Sequence, residues 1–484
     1  MKNLIKPELV APAGNLEKLK IAFQYGADAA YLGTPVFGLR KYSDNFNLTE
    51  LKIAAQLAKK LHKKIYLVLN GFAHNSDLSD IKTLLEKIKK IDLHGLVISD
   101  LGVFNLAKEI CDFPIHVSTQ ISTTNEYAVN FWADAGAKRS ILARQLNLKE
   151  IAAIRKNTTQ ELEVFIYGAN CAGFAGSCVI SNYTAARDAN RGGCIQNCRH
   201  LFNVYDKQLN FLGSDYFMNT KDLCLINSIP ELIKMGINAF KIEGRMKSNL
   251  YLASVVSNYR YLIDACFLAI KEKKEIDQTI LKKTYLNLKE INNRPFLDET
   301  KALKWDNIQK YQKGKFIFLF MPIFAIKIAK IGIRIKKNNH SDRRPIKVPF
   351  RGFRGLFKHF KTPNIINIVI ASLRSNPQRE CPLSESIINS NTNNLSTVSF
   401  IGTIKELNPG LGIFIDVKNP FKLGDTLEFV GRNGEIQPFT VKQIINLNNE
   451  ILDHARINQI VKLPWQDFFF QFGVLRKKRI PNNK

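Results

Sequence analysis

Between residues 8 and 244 the chain repeats one unit eight times: a short apolar run closed by a polar residue or glycine, usually followed by a segment of helical period. The runs occupy 8–14, 28–33, 64–70, 95–100, 115–120, 139–144, 163–168 and 239–244. Stretches such as LTELKIAAQLAKKLHK separate them and carry apolar residues at helical spacing. Runs that are apolar throughout, rather than alternating, belong to strands covered on both faces, which goes with parallel pairing and helical crossovers. Eight such units in about 250 residues predict an α/β fold, a TIM-like (βα)8 barrel. An open doubly wound sheet uses the same units, and closure is not a property of any local pattern.

In a barrel of this kind the chemistry gathers where strands end and βα loops begin. Polar residues stand at those points: Asn70 and His74 after the third run, Gln120 after the fifth and Arg144 after the sixth. The eighth run carries Lys241 and ends in Glu243-Gly244-Arg245. Taken singly, each is an ordinary loop polar group or helix cap. Their convergence on one rim makes them candidates. The connection between the seventh and eighth runs, residues 170–238, is far longer than a usual βα loop of about 2–6 residues. It holds Arg187, Asp188 and Arg191 and five of the chain's eight cysteines: Cys171, Cys178, Cys194, Cys198 and Cys224.

Those cysteines need a chemical reason. The first pair is seven positions apart and the second four, so neither is the CxxC knuckle of a structural zinc site. An iron–sulfur cluster asks only for four thiolates converging from loops, and five are on offer. A cysteine-protease reading would use one thiol with His74 or His116 as base and leave the other four unexplained. No HExxH, GxSxG, P-loop or GxGxxG motif is present. Cys111 and Cys266, in apolar helical contexts, are expected to be core thiols. The N-terminal MKNLIKPELVAPAG has no apolar signal region, so a cytoplasmic, reducing location without disulfides is expected.

The formal charge is +28, which points to a polyanionic partner, nucleic acid first and an anionic membrane second. The bland alternative is the codon bias of an AT-rich genome. Half of the surplus lies in 310–361, where FIFLFMPIFAIKIAKIGIRI precedes RGFRGLFKHF. The uncharged run from Phe316 to Ile326 is 11 residues long, short of the roughly 20 a membrane span needs. It fits an interfacial or RNA-facing helix better. The expected organisation is therefore a barrel over 1–270 with the cysteine-rich insertion 170–238. A helical, basic and apolar insertion with a linker follows over 271–397, and a small all-β, barrel-like domain over 398–484.

The ordered motif E-x-F-x-x-G-A-x-C-x6-C-x-x-S, Glu163 to Ser181, resembles the signature of the collagenase-like U-thirty-two peptidase family. Further matching segments are PELVAPAGNLEKLKIAFQYGADAAYLG, NRGGC with CR, MNTKDLC, FKIEGRMKS and VKNPFKLGDTLEF. They span about residues 7–270 and resume at 398–475. Despite its name, the family includes RNA hydroxylation enzymes that convert the tRNA wobble uridine to 5-hydroxyuridine, or modify a cytidine of large-subunit rRNA, without O2 and with dependence on prephenate. Shorter relatives bind a 4Fe–4S cluster through cysteines of this loop.

The resemblance implies cluster ligation by Cys171, Cys178 and Cys194, with Cys198 or Cys224 as fourth ligand. Glu243, Lys241 and Arg245 become the candidate catalytic groups. Arg187, Asp188, Arg191, Asn70, His74, Gln120 and Arg144 become candidate contacts to a small carboxylate donor or to RNA. A peptidase and a non-catalytic RNA-binding protein are the alternatives. The chain departs from the family in having Arg144-Gln145-Leu146 for the usual Arg-Glu-Leu, and in only faintly echoing Arg-Gly-Phe-Thr at Arg294-Pro295-Phe296. Nothing in the family corresponds to 310–375.

Overall fold

Short polar side chains set where the helices begin. Asn15, Asn47, Asp100, Asn125, Asn147 and Ser248 each accept a first-turn backbone N–H, and Asn47 and Asn147 complete capping boxes with Glu50 and Glu150. The helices so started are α1 (Leu16–Gln24), α2 (Leu48–Lys60), α4 (Leu101–Ile110), α5 (Glu126–Asp134), α6 (Leu148–Lys156) and α9 (Asn249–Lys271), with α3 (Leu78–Ile88) and α8 (Ile229–Met235) between them. The computed structural model describes residues 4–39, 44–205, 211–216, 218–291, 294–297, 321–322, 396–409 and 411–479.

The strands are β1 (Glu8–Pro12), β2 (Ala29–Gly33), β3 (Lys64–Leu69), β4 (Gly95–Ile98), β5 (Ile115–Val117), β6 (Arg139–Ile141), β7 (Glu161–Gly168) and β11 (Ala239–Ile242). They pair in parallel in that order, and β11 returns to β1 through Glu8 opposite Ala239. The sheet is closed, so the barrel expectation holds and the open-sheet alternative falls. Most strands stop short of the apolar runs in the sequence, because the last positions of those runs are already rim loop. The β7–β11 ladder shifts register between Lys241 and Ile242. Such irregularities re-aim side chains beside active sites.

Two apolar layers hold the barrel. The larger packs helices against the outer strand faces, and includes Cys111 and Cys266 as buried thiols. The smaller fills the interior with Val10, Tyr31, Tyr66, Val68, Val97 and Phe165 among others. The insertion after β7 contributes α7 (Ile180–Ala185), a hairpin of β8 (Phe202–Tyr205) and β9 (Phe211–Asp215), and β10 (Leu223–Cys224), which adds antiparallel to the end of β7.

After α10 (Gln278–Glu290), the basic stretch 310–375 and the linker lie outside the described residues, except for β12 (Met321–Pro322), which pairs antiparallel with β8. Among the described residues no helix is long and apolar enough to cross a membrane.

The C-terminal strands are β13 (Val398–Asn408), β14 (Gly412–Val417), β15 (Phe421–Lys422), β16 (Thr426–Val430), β17 (Ile436–Thr440), β18 (His454–Ala455), β19 (Ile460–Leu463) and β20 (Val474–Lys478). Six form an antiparallel sheet in the order β17-β16-β20-β13-β14-β19 over its own apolar core, and β15 pairs with β18. Tyr25, at the end of α1, joins this unit to the barrel. Its buried hydroxyl donates to the Val430 carbonyl at 2.8 Å and accepts from the Val474 N–H at 3.0 Å. Tyr25→Phe leaves both backbone groups without that partner. It is expected to lower the unfolding free energy by about 1–3 kcal/mol, measured by urea denaturation.

Candidate active site at the barrel rim

A small cavity of about 70 Å3, open to solvent on one side, sits at the C-terminal mouth of the barrel. Tyr31, Val68, Val97, Ile141 and Phe165 give it an apolar floor. Its polar wall comes from Asn70, Ser118, Gln120, Arg144, Lys241, Glu243 and Arg245. Most of the rim residues expected from the sequence therefore meet in one place.

The cations are held by short-range packing and paired charges. Lys241 Nζ lies 2.7 Å from Glu163 Oε1 and 4.5 Å from the Tyr31 ring centroid. Glu163 also meets Arg139 at 3.0 Å, and Arg139 reaches Glu8 at 2.7 Å and Glu161 at 2.8 Å. Glu8 in turn accepts from the Tyr66 hydroxyl at 2.8 Å and pairs with Lys64 at 3.0 Å. A chain of ion pairs thus runs through the barrel interior and ends at the pocket floor. Burial pushes the Glu163 carboxyl up, but the charges and hydrogen bonds of Lys241 and Arg139 outweigh it and leave it below the usual carboxylate range.

Arg144 stacks its guanidinium 3.9 Å from the Phe165 ring centroid and donates to the Ala169 carbonyl at 2.6 Å. Buried Arg245 bonds Asn45 and lies against Gly33, where a Cβ would come within 2.3 Å of the guanidinium. The glycine there is a matter of space. Asn70 Nδ2 donates to Gln120 Oε1 at 3.1 Å. His74 is exposed on the β3 loop and is not among the pocket-lining residues.

The insertion is laid across the tops of three strands. Ser177 Oγ donates to the Gln120 carbonyl at 3.3 Å, Ala175 N–H to Gln145 Oε1 at 3.2 Å, and Phe72 N–H to the Asn190 carbonyl at 3.0 Å. Its turns are tight: Ala175, Ala186 and Gln196 all take left-handed backbone conformations. Arg191 grips Asp77 through both guanidinium nitrogens, at 2.5 and 3.0 Å, and bonds the Phe72 carbonyl at 2.7 Å. Its charge is committed to fastening the insertion to the β3 loop. Asp188 caps a single helical turn through the Asn190 N–H, and Arg187 is half-buried beside it.

The hydrogen bond from Arg191, with that from the His74 N–H, holds the Asp77 carboxyl below its ordinary range. A lowered carboxyl stabilises the fold above the unfolded aspartate pKa of about 4, and that contribution is lost as pH falls through the folded value. Asp77→Asn is therefore expected to speed hydrogen exchange of amides in 170–199 at pH 7. The unaltered protein should keep its protection as pH drops to about 4.

Cys171, Cys178 and Cys198 are half-buried, Cys194 is exposed and Cys224 is buried. Burial pushes the Cys178 and Cys198 thiols up, and negative charge at Cys171 and Cys194 adds to the rise in both. These four thiols are therefore electrostatic neighbours. Cys224 lies in β10, with the Tyr259 hydroxyl 3.9 Å from its sulfur. Among the described residues no three His, Cys, Asp or Glu side chains are grouped to hold a single metal ion. A cubane cluster is a different case, because each thiolate binds a different iron and the ligands stand further apart. The donor set Cys171, Cys178, Cys194 and Cys198 fits such a group.

Sequence reasoning passed over one strap and one amide. Arg294 donates to Asp222 through Nε at 2.8 Å and Nη2 at 2.6 Å, and to Asn219 at 2.8 Å. Asp222 N–H bonds the Pro295 carbonyl, and Leu297 N–H bonds the Asp222 carbonyl. The segment that only faintly echoes Arg-Gly-Phe-Thr thus ties the chain beyond the barrel to the insertion. That echo was the available signal. Asn170, beside the first cysteine, carried none.

A closed (βα)8 barrel with a cationic pocket at its rim, a cysteine-bearing seventh βα connection fastened to the neighbouring rim loops and an all-β unit following in the chain defines a rim-site barrel protein. The chain belongs to peptidase family U32: the family pattern matches residues 14–302, and that of the U32 C-terminal domain matches 396–475. It is 43% identical over 268 residues to the tRNA hydroxylation protein P1 of Bacillus subtilis, an overlap covering 54% of this chain and 64% of that one. It is 34% identical over 310 residues to the tRNA hydroxylation protein P of Escherichia coli, covering 54% and 68%. To a 23S rRNA 5-hydroxycytidine synthase of Escherichia coli it is 34% identical over 262 residues, covering 53% and 39%. The chain thus spans less than two thirds of the Bacillus subtilis protein. The resemblance read from the motifs holds at the level of the family.

Proposed function

We propose that this chain is an RNA hydroxylation enzyme that forms 5-hydroxyuridine at the tRNA wobble position without O2, using a 4Fe–4S cluster and a prephenate-type dicarboxylate donor. The observation that carries the reading is that two residues lining the cationic pocket also hold the chain beside the first two cysteines of the insertion. Arg144 holds the carbonyl two residues before Cys171, and Gln120 holds the residue before Cys178. Similarity to relatives named for tRNA and rRNA hydroxylation supports the choice of substrate.

In this reading Cys171, Cys178, Cys194 and Cys198 hold the cluster, which supplies one-electron chemistry when bound. Arg144, Lys241 and Arg245 bind the donor's carboxylates in a pocket whose apolar floor limits water. Glu243, on the same wall, is placed to take the proton that leaves the pyrimidine ring carbon. Phe72, Phe174 and Tyr183 stand exposed on the rim loops, where unpaired bases of an RNA loop can stack. Arg191 fastens the cover rather than contacting substrate.

Nucleoside mass spectrometry of tRNA from a deletion strain, complemented with the intact gene or with Lys241→Met, tests the proposal. Loss of 5-hydroxyuridine-derived nucleosides, restored only by the intact gene, is the expected result. An unchanged profile in the deletion strain would refute it. A thiol-peptidase reading is less well served, since His116 is buried against Tyr66 in the barrel interior and His74 is exposed on the β3 loop. A non-catalytic RNA-binding protein would take up no iron or sulfide on anaerobic reconstitution.

A further inference from the structure

Asn170 immediately precedes Cys171 and is 2% exposed, yet neither its Nδ2 nor its Oδ1 has a hydrogen-bond partner. The residue is well fixed: its backbone carbonyl accepts from Thr220 Oγ1 at 2.9 Å and from Arg294 Nη2 at 3.5 Å. Leaving a buried polar group unmade costs about 1–3 kcal/mol, and native proteins keep only a few such groups. An amide left so at this point implies a partner that is not protein.

The surroundings say what kind of partner. Arg199 adjoins Cys198 in the helical turn Asn197–Arg199, and Arg294 reaches the backbone of Asn170 itself. Arg199, Arg294 and Lys247 are close enough to disfavour one another's charge. Arg294 is paired with Asp222, whereas Arg199 makes no ion pair among the described residues. Crowded cations and an unsatisfied amide donor beside four thiols are arranged for an anion that offers sulfur acceptors. Four thiolates on a cubane make such an anion, and its charge becomes more negative on reduction.

We propose that the Asn170 side chain donates a hydrogen bond to a sulfur of the cluster held by Cys171 and its partners, and that Arg199 and Arg294 balance the cluster's negative charge, so that the three residues together raise its reduction potential. The inference rests on the cluster reading above and adds the residues that tune it. Donors to the sulfurs and nearby cations stabilise the more negative, reduced state, which is the general lever by which proteins set such potentials.

The test uses the full chain, reconstituted anaerobically, as wild type, Asn170→Leu, Asn170→Asp and Arg199→Gln. Iron and sulfide per chain, the midpoint from a titration followed by electron paramagnetic resonance, and the rate of cluster loss are measured. Asn170→Leu is close in size and removes the donor, so its midpoint should move to more negative potential and its cluster should be lost faster. Asn170→Asp, which adds a negative charge, should move the midpoint further in the same direction. Arg199→Gln, at a half-exposed position, should also shift it negative. In the cluster-free protein Asn170→Leu should raise the melting temperature, because it removes an unsatisfied amide. Midpoints and loss rates equal to wild type in the Asn170 variants would overturn the inference and leave an ordered water as the amide's partner. A wild-type chain that takes up no iron and sulfide would instead defeat the cluster reading itself, and this inference with it.

Discussion

Glu163→Gln is expected to lower the unfolding free energy by about 3–5 kcal/mol, the usual cost of breaking a buried ion pair by removing one partner. Glu163 is fully buried on β7 and answers two cations at once, Lys241 at 2.7 Å and Arg139 at 3.0 Å. Arg139 keeps Glu8 and Glu161, whereas no other ion pair of Lys241 is found among the described residues. The lysine is therefore the group left exposed to the full penalty of burial, which already pulls its pKa down with only Glu163 opposing strongly. Urea denaturation at pH 7 reads the loss. The double variant Glu163→Leu with Lys241→Met, which removes both charges, should recover most of it. A Glu163→Gln protein within about 1 kcal/mol of wild type would show that the pair does not matter to the fold.

The same pair predicts a pH dependence. Because the folded Glu163 pKa is lowered, its contribution is complete above the unfolded glutamate value of about 4.3 and fades as pH falls through the folded value. The slope of stability against pH below about 4 should flatten in the double variant.

The second large effect separates the cysteines. Under the proposed function, Cys171→Ser, Cys178→Ser, Cys194→Ser and Cys198→Ser are each expected to abolish iron–sulfide uptake and, with it, tRNA modification. Cys224→Ser should keep iron and sulfide near the wild-type content. Its effect should appear in stability, since the residue is 3% exposed in the strand that pairs with the end of β7. Iron and sulfide assays on anaerobically prepared variants decide the matter. Loss of the cluster in Cys224→Ser with retention in Cys198→Ser would reverse the assignment of the fourth ligand.

Lys241 and Arg191 show how differently the candidate cations fare once the chain is folded. Both looked available for an anionic ligand. Lys241 lines the pocket but leans on Glu163, 78 positions away, and Arg191 is spent on Asp77, 114 positions away. Glu8, Arg139 and Glu163 sit inside strand runs, where the apolar pattern masks them, and their meeting inside the barrel is invisible to any local window. The stretch 310–375, with its surplus of basic residues, lies outside the described residues but for Met321–Pro322.

By itself, the sequence determined the eight βα units, the rim as the place for polar groups, the cysteine-rich connection after the seventh strand and the all-β unit that follows. These depend on periodicity, capping residues and spacing, which act over a few positions. Only the tertiary structure decided that the sheet closes, that Cys224 sits in a strand paired with the end of β7, and that Arg294 straps the insertion through Asp222, 72 positions earlier. It also left the Asn170 amide buried without a protein partner. The reason is physical: charge pairing and desolvation depend on which side chains meet in space, and the residues that meet here are far apart along the chain.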